Sequence, residues 1–150
     1  MGECLWGHIR RDLVQEMDQN KSTWFPIFEA WEEGYFNTHR EGLIWDSVSG
    51  CPPSHEMYFP LAGLLIAQRY GIGIHLLILD ASATFFPILS PPADRQPLFI
   101  TLALVNDTHF IHVKLEGDYP MPPINGLWLT HRRTHAGQWE DMYMPSLGFL

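Results

Sequence analysis

The sequence predicts an α+β chain, helices packed on a small antiparallel or mixed sheet, because two hydrophobic periods follow one another along it. Up to Tyr70 apolar residues recur at three- and four-residue steps; after Gly71 they alternate or run on in short β-rich stretches. Helices first and strands afterwards, with no helix between the strands, is an α+β pattern that favours antiparallel pairing. At 150 residues a single domain over 1–150 is expected, long enough to bury most of the surface its unfolded form would expose.

Trp6, Ile9, Leu13 and Met17 trace one face of a first helix, with Arg10, Arg11, Asp12 and Gln15 between them. A second helix is expected over 25–33. Ser22 and Thr23 suit its cap, Pro26 its first turn and Gly34 its stop, with Phe28 and Trp31 facing the core. Ser47, Ser49, Gly50, Pro52, Pro53 and Ser54 read as a surface loop that holds Cys51. Pro60 opens a central buried helix over 61–70 that Gly71 ends.

Residues 72–79 are apolar on both faces apart from His75, which is expected of a strand interior to a sheet. A short neighbouring strand over 84–89 follows, then a Pro-rich connection. Residues 99–105 and 110–115 read as a hairpin turned by Asn106, Asp107 and Thr108. Pro120, Pro122 and Pro123 exclude regular structure and predict an extended surface strap over 117–128. Trp128, Trp139 and Tyr143 are expected to pin the tail back, the latter two on a short terminal helix near 135–143.

Composition narrows the function. Nine Lys and Arg against 17 Asp and Glu give a net charge of −8, and no basic stripe could track a phosphate backbone, so nucleic acid is not the expected partner. The longest apolar stretch, 71–79, is far short of the roughly 20 residues a membrane span needs. Two cysteines make no disulfide framework and no leader pattern precedes them, so an intracellular chain, cytoplasmic or nuclear, is expected. His131 and His135 are four apart but lack the Glu or third ligand of a zinc hydrolase, and no metal or cofactor is expected.

His109 holds the greatest chemical interest. It lies where the hairpin turn passes into its second strand, a rigid mount for a general base. A histidine followed by an aromatic residue is frequent by chance, so the dipeptide alone marks no site.

A wider pattern surrounds it. Trp6…Ile9-Arg10-Arg11-Asp12-Leu13…Glu16-Met17 is followed by Met57-Tyr58-Phe59-Pro60-Leu61-Ala62-Gly63-Leu64-Leu65-Ile66-Ala67…Tyr70. Downstream come Phe85-Phe86-Pro87-Ile88-Leu89-Ser90, Leu104-Val105-Asn106…His109-Phe110, and Pro120-Met121-Pro122-Pro123-Ile124 with Trp128. This succession resembles the OTU (ovarian tumour) family of cysteine proteases, in particular plant OTU-like proteases and relatives associated with transposons. The likeness spans nearly all of 6–143. It implies a papain-like fold and a thiol protease of deubiquitinase type that cleaves isopeptide bonds to ubiquitin or a ubiquitin-like modifier, with His109 as base. Asn106 or Asp107 is the expected residue to orient its ring, because the position two after the base, where some relatives carry an acid or amide, is Ile111.

The nucleophile has two placements. In the family it belongs to an Asp-Gly-Asn-Cys motif followed by an aromatic, and Gly2, Cys4 and Trp6 imitate that motif, with Met1 where the Asp belongs. On this reading Cys4 is the nucleophile at a helix N-terminus, where the dipole favours thiolate. On the other, Trp6…Arg10-Arg11-Asp12-Leu13 matches a later family segment. The cysteine motif then belongs upstream of Met1, Cys4 is incidental, and the chain is an N-terminally truncated member. Cys51, in a Ser/Gly/Pro loop, reads as an inert thiol. The corresponding functions are a cysteine peptidase using Cys4 and His109, or a non-catalytic ubiquitin-binding pseudoenzyme or transposon-derived remnant.

Overall fold

A computed structural model describes residues 2–44, 61–78, 82–93, 97–105, 109–114 and 121–143. Contacts divide the chain into two compact units, Met1–Leu65 and Ile66–Leu150. The fold is α+β, with helices first and a four-stranded mixed sheet after them.

The first unit is built on helices α1 (Gly2–Gln19), α2 (Lys21–Trp31) and α3 (Tyr35–Leu43). The predicted face of α1 is buried at Leu13 and Met17, and Trp24, Ile27 and Phe28 of α2 and Phe36 and Leu43 of α3 are buried likewise. Phe28 sits at its centre, edge-on to Phe36 at 5.9 Å and to Trp24 at 6.3 Å. Aromatic pairs in this arrangement add attraction beyond the area they bury.

The second helix starts earlier than its apolar pattern indicates. Asn20 breaks the backbone between α1 and α2, and its side chain turns back to donate to the Glu16 carboxylate at 2.7 Å. Glu16 also accepts from Trp24 Nε1 at 3.0 Å. This buried carboxylate joins the two helices at their bend, so neither Ser22 nor Thr23 caps α2. Pro26 lies inside the helix on its exposed side, where the carbonyl of the likewise exposed Ser22, deprived of its donor, faces water. Trp31 does not face the core: it is 53% exposed.

Sequence patterning misses α3, whose Asn37, Thr38, His39 and Gly42 are all poor helix formers. Other helices hold it at both ends. The Glu29 carboxylate accepts from the Gly34 and Phe36 amides at 2.9 and 3.0 Å, and Arg10 donates to the Gly42 carbonyl at 3.0 Å. Gly34 turns the chain between α2 and α3 with φ 79°, a left-handed conformation that glycine takes without steric cost.

Helix α4 (Leu61–Tyr70) forms where the apolar pattern predicts a helix, and Gly71 stops it at φ 66°. The expected loop around Cys51 lies outside the described residues.

In the second unit β1 (Gly73–Leu77), β2 (Ala83–Phe85), β3 (Phe99–Val105) and β4 (His109–His112) pair in the order β2-β1-β3-β4. Strand β1 is interior, as its two-sided apolar pattern requires. It pairs antiparallel with β2 but parallel with β3, so the sheet is mixed. Purely antiparallel pairing fails because the chain passes from β2 on one side of β1 to β3 on the other. The β3–β4 hairpin is antiparallel, and its turn at 106–108 lies outside the described residues.

Residues 121–125, the described part of the Pro-rich segment before α5, add a short parallel bridge to β2. Ile124 pairs with Thr84, the Thr84 amide donates to the Pro123 carbonyl, and the Asn125 amide donates to the Thr84 carbonyl. The Asn125 side chain then caps α5 (Gly126–His131), and a 3-10 turn over Thr134–Gly137 leads into α6 (Gln138–Tyr143). Trp128, Trp139 and Tyr143 are buried around Phe86, which stacks on Trp139 and meets Trp128 edge-on, each at 5.2 Å.

Candidate functional site

The hairpin fixes His109 by its backbone. His109 is the first residue of β4 and pairs with Val105, so the four-residue ladder from Val105↔His109 to Leu102↔His112 begins at the catalytic candidate. The Val113 amide extends that ladder to the Thr101 carbonyl at 2.9 Å. Cys4 is the third residue of α1, in its first turn. Cys4 belongs to the first unit and His109 to the second. Asn106, Asp107 and Cys51 lie outside the described residues.

A polar cluster that sequence reasoning passed over is built around His75. His75 and Thr84 are register partners on β1 and β2, and the imidazole Nδ1 lies 2.9 Å from Thr84 Oγ1. Thr84 Oγ1 donates to the Pro122 carbonyl at 2.8 Å, and Tyr143 OH donates to the same carbonyl at 2.7 Å. Tyr143 OH is also 2.9 Å from Thr84 Oγ1. Proton accounting assigns His75 the Nδ1–H tautomer, because both hydroxyl protons then go to Pro122 and Thr84 Oγ1 accepts from the ring. The ring lies between Phe99 at 5.2 Å and Tyr143 at 5.5 Å. Burial pushes the His75 pKa down to about 4 and that of Tyr143 up to about 12, so both are neutral at pH 7.

A hydroxyl 2.9 Å from an imidazole nitrogen has the spacing of a nucleophile and its base. Thr84 is nonetheless 0% exposed and its proton is committed to Pro122, so no substrate reaches it. The cluster is a structural tie that joins β1, β2, the 121–125 segment and α6. Its one signal in the sequence is His75 itself, an imidazole inside an apolar strand that requires a partner.

A second tie surrounds residues 87–90, where each carbonyl has a donor. Trp128 Nε1 donates to Pro87 O at 2.8 Å, the Arg133 amide to Ile88 O at 2.8 Å, and Trp139 Nε1 to Ser90 O at 2.9 Å. His135 Nε2 hydrogen-bonds Leu89 O. From α4, Gln68 accepts from the Leu89 amide at 2.8 Å and donates to Ser90 Oγ at 2.9 Å. His131 ends α5 while His135 sits in the 3-10 turn, so the two do not share a helix face. Among the described residues no group of three or more His, Cys, Asp or Glu side chains is placed to hold a metal ion. No described helix is long and apolar enough to cross a membrane.

Comparison of the chain with family models, with curated proteins and with solved structures gives no match.

Proposed function

We propose that this chain is an OTU-like, papain-type domain that engages ubiquitin or a ubiquitin-like modifier, with His109 as the general base of isopeptide cleavage and Cys4 as the candidate thiol. The observation that carries the reading is the place of His109, the histidine of the OTU-resembling Asn106…His109-Phe110 segment, as the first residue of a strand paired antiparallel with β3. In the reaction the imidazole takes the thiol proton and the thiolate attacks the isopeptide carbonyl. The protonated imidazole then gives its proton to the departing lysine amine. The first-turn position of Cys4 in α1 suits a thiolate, since the positive end of the helix dipole stabilises it. The reading entails a reducing compartment, cytoplasm or nucleus.

The second reading is binding without catalysis, favoured by Met1 standing where the family motif has its Asp. One experiment separates the two: the chain is mixed with ubiquitin bearing a C-terminal electrophile, beside Cys4→Ala and His109→Ala. The peptidase reading expects an adduct that Cys4→Ala abolishes and that His109→Ala slows by roughly 10²–10⁴-fold. Saturable ubiquitin binding with no adduct supports the binding reading, and a folded chain that does neither overturns both.

A further inference from the structure

His39 presents a physical problem that the proposed function does not address. It lies on α3, 5% exposed, and neither ring nitrogen has a hydrogen-bond partner among the described residues. Phe28 of α2 packs on the ring at 5.0 Å and Tyr35 of α3 at 5.8 Å. The charged group whose field reaches it is Arg10 of α1, itself buried and donating to the Gly42 carbonyl at the far end of the same helix. Carboxylates of α1 and α2 have other partners: Glu16 holds Asn20 and Trp24, Glu29 holds the amides that open α3, and Asp18 holds Arg40. A buried polar group without partners costs free energy and calls for an explanation.

We propose that His39 is an acid-sensitive latch in the first unit: neutral, it lets α3 pack on α1 and α2, and protonated, it releases α3. Among the described residues the imidazolium has no acceptor for either N–H, and its charge adds to that of Arg10. His75 differs in both respects, since its Nδ1–H has Thr84 as acceptor and burial alone, with no neighbouring cation among the described residues, lowers its pKa. The direction of His39 titration agrees, with burial first and Arg10 second lowering its pKa to about 4. The unfolded imidazole takes its proton near pH 6.5, so the opening equilibrium of α3 rises as pH falls from about 6.5 to about 4, by up to roughly 300-fold.

The test is amide hydrogen exchange on the full chain across that range, corrected for intrinsic rates, together with NMR titration of the His39 ring. The expected result is that α3 amides lose protection as pH falls from about 6.5 to about 4, and that His39→Phe removes that loss. An imidazole that titrates near 6.5 in the folded chain overturns the proposal, as does an equally steep loss in His39→Phe. Should His39→Phe not fold, the ring titration of the unsubstituted chain decides.

Discussion

At the scale of single residues, the least tolerant positions are those where two groups share one space or one proton. Thr84→Val keeps the shape of the side chain but leaves the His75 ring without its acceptor and the Pro122 carbonyl with one donor in place of two. An unmatched buried polar group costs about 1–3 kcal/mol, and a urea titration should show that loss against the parent chain. Glycines make a sharper contrast. A Cβ on Gly73 would meet the Phe99 ring at 2.9–3.0 Å, and that ring is packed against His75 and Phe86. A Cβ on Gly137 would meet the tip of Arg132 at 2.7 Å, a flexible group that can swing away. Gly73→Ala should therefore cost about 1–3 kcal/mol, as overpacked cores do, and Gly137→Ala should stay within about 0.5 kcal/mol. Paired denaturation curves check the order.

Among the elements, α3 shows what a linear reading of the chain cannot hold. Helix α4 and strand β1 are visible in sequence because their own apolar residues carry their periodicity. Helix α3 owes its existence to Glu29 at one end and Arg10 at the other, five and 32 positions from the amide and carbonyl they bind, and no local pattern announces either bond. The extra first turn of α2 was hidden likewise, since Asn20 and Trp24 act through the Glu16 carboxylate. The parallel β1–β3 pairing was hidden because period-two patterning fixes which residues share a face but not which strand lies beside which. For the candidate site, the hairpin mount of His109 was legible, whereas the partner of His75 lay on another strand. Glu29 gives this scale its prediction. Hydrogen bonds from the Phe36 and then the Gly34 amide hold its carboxyl below the usual range, so Glu29→Gln should lower the stability of α3 at pH 7. The difference should shrink as acid protonates Glu29 in the parent chain, which amide exchange across α3 at pH 7 and pH 3.5 will show.

For the whole molecule, acid acts through the buried histidines before the carboxylates. His39 and His75 are both held near pKa 4, so above about pH 6.5 they are neutral whether the chain is folded or not. As pH falls below 6.5 the unfolded chain takes up protons that the folded chain refuses until about pH 4, and stability declines across that window by a few kcal/mol. Asp18, lowered by Arg40, adds a loss at still lower pH. At the alkaline end Tyr143, raised to about 12, ionises first in the unfolded chain, so stability falls again above pH 10. Urea midpoints should drop between pH 7 and pH 4.5; midpoints level from 7 to 5 would contradict neutral, buried imidazoles. The tie around residues 87–90 bears on how the chain is made. The carbonyls of Pro87, Leu89 and Ser90 wait for side-chain donors 41 to 49 positions further along. At 5–20 residues per second a ribosome takes about 2–10 s to supply them. Throughout that interval water must satisfy these carbonyls, and Phe86 lacks the Trp128 and Trp139 rings that pack on it in the folded chain.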